Sequence, residues 1–213
     1  MNGGASQWEL LVLTADKSTL FALEGLLSRP AALGMRPLER YRILVHPRRD
    51  PAVLRDSHNF LRPFLRHAGH CLVVFDREGS GGENRSREEL ERNVQSTLDA
   101  NGWRGRSSVV AIDPELESWV WSDAPEVDAV LGWPCQDRHL REWLSLRGFL
   151  RTSEVKPRRP KEAVEAALHE SRTGRSSTMY GELARRVDFQ RCTDPASKKL
   201  RGSLAAWFPA PPQ

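Results

Sequence analysis

Asp76 and Glu78 stand one residue apart, directly after the apolar run Cys71-Leu-Val-Val-Phe75 and before the cluster Gly79-Ser-Gly-Gly82. In extended backbone, residues two apart point to the same side, so both carboxylates can face one cation. Hard oxygen donors of this kind suit Mg²⁺ or Mn²⁺. A second acidic group, Asp113-Pro-Glu-Leu-Glu117, follows another apolar run, and a third, Asp16 beside Lys17, follows Trp8–Leu13. Three acidic strand ends repel one another without a cation. Two divalent ions among them would clamp a phosphodiester, activate water and steady the leaving oxygen. This reading predicts metal ligation by Asp76, Glu78, Asp113 and Glu117, with Glu115 the less favoured partner. The candidate catalytic residues are Asp16, Asp76, Glu78 and Glu117. Each has a plainer alternative. Asp16 reads equally as a helix N-cap, Asp76 as a turn cap with Glu78 solvated, and Glu115 as an acid answering a helix dipole.

These residues need strand ends to hold them. Trp8–Leu13, Tyr41–Val45, Leu72–Phe75 and Ser108–Ile112 read as strands, the third apolar enough to be buried on both faces. Helices are predicted from Asp16 to Leu27, over His58–His67 with Pro63 as a kink, and from Ser86 to about Asn101. Ser86 and Glu89 form a capping-box pattern. Arg48–Ser57 and Gly79–Ser86 read as loops. Strands alternating with helices predict an α/β fold, a mostly parallel sheet of about four strands flanked by helices. Beyond residue 115 the pattern turns helical: Glu115–Trp121, Val127–Leu131, Asp137–Leu146, Lys161–Ser171, Ser177–Val187 and Pro195–Phe208. The division this suggests is an α/β core over 1–123 and a helical, basic region over 124–213 that packs on the core or stands apart. The proline- and arginine-rich Arg151–Pro160 is the linker candidate, and the tail from Pro209 reads as frayed.

Charge is unevenly spread. Residues 1–146 carry 18 Lys and Arg against 21 Asp and Glu, whereas residues 147–213 carry 14 against 7. The excess is mostly arginine, which contacts phosphates bidentately. Lys17, Arg158, Arg159, Arg185, Arg186, Lys198 and Lys199 are the predicted nucleic-acid contacts; the alternative is a solvated arginine-rich surface. No apolar run approaches the roughly 20 residues of a membrane span. The start, Met-Asn-Gly-Gly-Ala-Ser6, lacks the basic and apolar parts of a signal peptide. Cys71, Cys135 and Cys192 are odd in number and lack CxxC spacing, which argues against a zinc site or disulfide framework. A cytoplasmic protein with reduced thiols, no membrane association and a nucleic-acid partner is the expectation. The six histidines are scattered, and neither a P-loop nor a serine elbow is present. Trp119 and Trp121 read as core or interface.

Strand-end acids, with D-x-E after the third strand and a later acidic strand end, resemble the toprim fold. More closely, six segments resemble a toprim-like family of bacterial methylation-associated phage-defence systems, related to RloB-type toprim-like families. They are Ala15-Asp-Lys, Leu23-Glu-Gly-Leu-Leu, Val45-His-Pro, Val74-Phe-Asp-Arg-Glu-Gly, Ile112-Asp-Pro-Glu-Leu-Glu-Ser-Trp-Val-Trp121 and Arg191-Cys-Thr-Asp-Pro195. The resemblance covers most of the chain. It implies an anti-phage defence role, a Mg²⁺-dependent nuclease-like core acting on DNA or RNA, and other defence-system proteins as partners. The family pattern has a glutamate after the first strand, where this chain has Thr14-Ala-Asp16, and D-x-D where this chain has D-x-E. The missing glutamate supports the alternative of a catalytically inactive scaffold in a larger defence complex. Tyr41 and Tyr180 have no clear topoisomerase role.

Overall fold

The computed structural model describes residues 6–121, 124–134, 139–151 and 154–211. Four strands, β1 (Trp8–Thr14), β2 (Tyr41–Val45), β3 (Ala68–Asp76) and β4 (Ser107–Ile112), form one sheet in the order β2-β1-β3-β4. All three pairings are parallel. Each parallel pairing needs a crossover, and α1 (Lys17–Leu27), α2 (Arg49–Leu61) and α3 (Arg87–Leu98) supply them. Five further helices follow: α4 (Pro125–Val130), α5 (Leu140–Leu146), α6 (Pro160–Glu170), α7 (Ser177–Arg186) and α8 (Pro195–Trp207). The chain is therefore an α/β protein with a four-stranded parallel sheet and a helical C-terminal part. No helix among the described residues is long and apolar enough to cross a membrane.

The central strands are apolar on both faces because both faces are covered. Leu10, Val12, Leu72, Val74, Val110 and Ile112 face one core, shared with α1 and the C-terminal helices. Leu11, Leu13, Cys71, Val73, Phe75, Val109 and Ala111 face a second core. Val53 and Leu61 of α2, and Leu90, Val94 and Leu98 of α3, complete it.

The predicted loop at Arg48–Ser57 is instead the N-cap and about the first two and a half turns of α2, which extends to Leu61. A 3₁₀ turn, Arg62–Phe64, holds Pro63 after the helix has ended. The helix predicted over His58–His67 therefore begins earlier and stops sooner, since a proline disfavours helical backbone before it. The capping box at Ser86 forms as expected: Glu89 N–H donates to Ser86 Oγ, and Ser86 N–H to Glu89 Oε2 at 2.9 Å. The predicted helix start at Asp137, Cys135, and part of the 151–160 segment lie outside the described residues.

Two contacts lock the frame. At the free edge of β4, the Ala111 N–H donates to Glu91 Oε1 at 3.0 Å. Arg87 reaches the same oxygen at 2.9 Å, and Lys199 of α8 reaches Glu91 Oε2 at 2.8 Å. A buried carboxylate thus occupies the donor that an incoming strand would use. Replacing Glu91 with alanine is expected to destabilise the protein by about 3 kcal/mol, because it leaves a buried N–H and two cations without their partner. Urea denaturation measures this; a change below about 0.5 kcal/mol, the level of ordinary surface substitutions, would rule it out.

The second contact joins α1 to α7. Gly25 lies so close to α7 that a Cβ there would stand 2.5 Å from the Gly181 carbonyl oxygen. Arg29, just past α1, donates to the carbonyls of Ala184 at 3.2 Å and Val187 at 2.6 Å, closing the end of α7. At the opposite end, Ser18 Oγ meets Ser177 Oγ at 3.2 Å.

Candidate functional site

Four carboxylates lie at the carboxyl edge of the sheet, one as the last residue of β3 and the others in the segments that follow β1, β2 and β4. Asp16 follows β1. Its Oδ1 accepts from Thr19 N–H at 2.8 Å, so it caps α1 as well. Asp50 follows β2 in the first turn of α2, and its Oδ1 accepts from Asp76 N–H at 2.9 Å. Arg49, immediately before it, has φ of 55°, a left-handed conformation uncommon outside glycine that turns the chain towards β3. Asp76 ends β3. Glu117 follows β4 in the 3₁₀ turn Leu116–Trp119.

The electrostatics tie the four together. Burial pushes the Asp76 carboxyl well above its ordinary value, and the charges of Asp50, Glu117 and Asp16 push it further; the Leu116 backbone N–H opposes them. The Asp50 carboxyl is also raised, first by burial, with Asp16 adding to the shift and the Asp76 N–H opposing it. Asp76 Oδ1 is buried and has no hydrogen-bond partner. Such an atom is costly unless something else satisfies it. Among the described residues, no three His, Cys, Asp or Glu side chains stand close enough to share one ion as they are now arranged.

Glu117 is 4% exposed and held from the C-terminal part. The Tyr180 hydroxyl donates to its Oε1 at 2.5 Å, and Arg175 Nη2 donates to the same oxygen at 2.7 Å. Glu115 is buried beside it. Its Oε1 accepts from Lys161 N–H at 3.2 Å at the start of α6, and its carboxyl is raised by burial and by Glu117.

The charges of Asp16 and Glu117, and of Asp50, thus act on Asp76 without the four side chains closing on one point. Asp113 stands apart, its Oδ1 accepting from Arg77 Nη1 at 2.9 Å. Arg77 also donates to the carbonyls of Glu83 and Arg85, which makes it the organiser of the Gly79–Gly82 turn. Glu78 is exposed and lines a separate cleft of about 320 Å³ with Pro114, Glu115, Arg158, Arg159 and Lys161.

The predicted phosphate contacts scatter in role. Lys17 is exposed beside Asp16, and Arg185 and Lys198 are exposed. Arg158 pairs with Glu154 at 2.5 Å, and Arg159 sits 6.0 Å from the centre of the Phe149 ring. Arg186 pairs with Glu182 at 2.7 Å, and Lys199 is committed to Glu91. Trp121 is buried and donates to the Pro160 carbonyl, while Trp119 donates to Asp194, so both serve packing.

Sequence reasoning missed Asp50, Arg175 and Tyr180. Asp50-Pro51 is an acid followed by proline, a helix-start signal that marks the true beginning of α2. Nothing local marks Arg175 or Tyr180, which lie 58 and 63 positions beyond Glu117. Comparison with protein-family models, curated proteins and solved structures finds no match to this chain.

Proposed function

We propose that this chain is a divalent-metal-dependent nuclease or nuclease-like nucleic-acid-binding subunit, with the carboxylate group at the sheet edge as its centre. The observation that carries the reading is Asp76 Oδ1, buried without a partner and surrounded by the charges of Asp50, Glu117 and Asp16. Mg²⁺ or Mn²⁺ would be held by Asp76 and Asp50, with Asp16 and Glu117 completing the set as the side chains draw together. A bound ion of this kind supplies charge neutralisation and polarises a phosphoryl oxygen. The chain's own part is to fix the carboxylates at the strand ends and to keep one Asp76 oxygen out of water. Lys17, exposed beside Asp16, would meet the phosphate of a nucleic-acid strand. The anti-phage defence role, and other defence-system proteins as partners, rest on the sequence resemblance.

Calorimetric titration with Mn²⁺ tests the reading. The wild-type protein is expected to bind at millimolar concentration or below, and Asp76→Asn to lose binding. No heat of binding in the wild type would sink the proposal. A second reading, an inactive toprim-like scaffold, draws on the separation of the carboxylates as folded and on the absence of a glutamate after β1. The same titration separates the two.

A further inference from the structure

We propose that the free edge of β2 is a docking site for an extended, acidic segment of a partner protein, which joins the four-stranded sheet as an added strand. The inference stands apart from the carboxylates at the strand ends and needs no metal.

The sheet ends differently on its two sides. At β4 the outward Ala111 N–H is taken by Glu91, itself held by Arg87 and Lys199. β2 pairs with β1 alone, in parallel register from Leu10 with Tyr41 to Thr14 with Val45. His46 N–H donates to the Thr14 carbonyl at 2.8 Å, so the even-numbered residues of this stretch turn their main-chain groups towards β1. Tyr41, Ile43 and Val45 therefore turn theirs to the open side, where no other strand among the described residues pairs with them. A row of unpaired N–H and C=O groups is a template for a further strand.

The side chains define the strand that fits. Residues 36–49 carry five arginines and one acid, Glu39. Arg36 is committed to Glu9 and Arg48 to Asp56. Arg40, just before the strand, is exposed and stands 3.9 Å from Glu39. Arg42 is exposed within β2, and no ion pair among the described residues engages it. Tyr41 and Ile43 pack against the core shared with α1, so Arg42, between them, stands on the opposite face. A strand laid along this edge meets arginine on one face and half-buried apolar side chains on the other. Acidic residues alternating with apolar ones match both. A second copy of this chain matches poorly. Two β2 edges paired antiparallel along their length set both Arg42 side chains opposite or diagonal on one face, and like charges so placed repel. Edge charges that block self-pairing leave an acidic partner favoured, which is specificity through repulsion.

The probe is a capped peptide of alternating Glu and Val, read by isothermal titration and by amide hydrogen exchange of the full chain. In the free protein the Tyr41, Ile43 and Val45 amides are expected to exchange faster than those of Arg42 and Leu44. The peptide is expected to bind and to slow the faster set. A Lys and Val peptide is expected not to bind. An N-methylated form of the Glu and Val peptide, which keeps the charge and loses the donors, is also expected not to bind. Arg42→Gln is expected to weaken the peptide about 5-fold, and Arg42→Glu to favour the Lys and Val peptide instead. No binding at about 1 mM peptide would overturn the proposal, as would binding that N-methylation or Arg42→Glu leaves intact. Equally slow exchange across β2 in the free protein would show the edge already covered and overturn it too. Dimerisation in light scattering that slows the same amides would give the edge to a second copy. Binding of a single-stranded oligonucleotide that requires Arg42, without peptide binding, would give it to phosphate. Either result overturns the proposal.

Discussion

Asp76→Asn is expected to make the metal-free protein more stable at neutral pH, by about 2 kcal/mol, while removing metal binding. Asp76 ends a buried strand with one oxygen lacking any partner, and three other carboxylates act on it. An amide keeps the shape, removes the charge and adds a donor for those carboxylates. The pH dependence follows from the direction of the shift. The Asp76 and Asp50 carboxyls are both raised above their ordinary value of 3.8 in the folded chain. The folded state therefore keeps protons that the unfolded state has released. This contribution to stability is full below the ordinary value and is lost as pH rises through the raised one. The wild type should accordingly lose more stability than Asp76→Asn as pH climbs from about 4 towards neutral. Saturating Mn²⁺ should reverse the ranking, since a ligand that binds only the folded state stabilises it. Thermal unfolding of both proteins across pH, with and without Mn²⁺, measures each part. A metal-free Asp76→Asn less stable than wild type at pH 7 would contradict the account.

Gly25→Ala is expected to destabilise the fold by about 3 kcal/mol. The added Cβ would stand 2.5 Å from the Gly181 carbonyl oxygen and 2.7 Å from Ala184 Cβ. A backbone oxygen cannot swing aside as a side chain does, so α7 must move away from α1. Tyr180 precedes Gly181 on that helix, and a displaced α7 carries its hydroxyl off Glu117. The substitution should therefore lower both the unfolding midpoint and the Mn²⁺ affinity. Gly34→Ala makes a useful contrast. It strains a turn with φ of 69°, but its Cβ meets only Ala205 Cβ at 4.0 Å, and it should leave Mn²⁺ binding intact. Equal stability of Gly25→Ala and wild type in urea would show that the two helices are not in close contact in solution.

The parts of this fold legible in the sequence are those fixed by short-range patterns. Apolar runs bounded by Gly, Pro or Asp located all four strands, and β2 matched its predicted bounds, Tyr41–Val45, to the residue. The start of α2 was hidden because Pro47-Arg-Arg-Asp-Pro51 has loop composition. Its apolar face is thin, with Ala52, Val53 and Leu61 buried alongside Ser57. Missing that helix start meant missing Asp50. The acids at Asp16, Asp76 and Glu117 were visible as strand-end carboxylates, but their relative reach was not. Asp113 and Glu78 have the same local signature as Asp76. What separates them is Arg77, which holds Asp113 outside the group, and the cleft that Glu78 lines instead. Arg175 and Tyr180 were beyond local pattern altogether. Their partner is distant in sequence, and only the packing of α7 on α1 brings them to it.

The order of the chain has a consequence for its birth on the ribosome. Asp16, Asp50, Asp76 and Glu117 are all translated before Arg175 and Tyr180, and domains fold from the N-terminal side as they emerge. For the time needed to add some sixty residues, a nascent chain carries its acids while the groups that grip Glu117 do not yet exist. A chain that stalls or is cut in that interval keeps the sheet's strands and lacks the grip. Only a chain extended as far as α7 can hold Glu117 in this way.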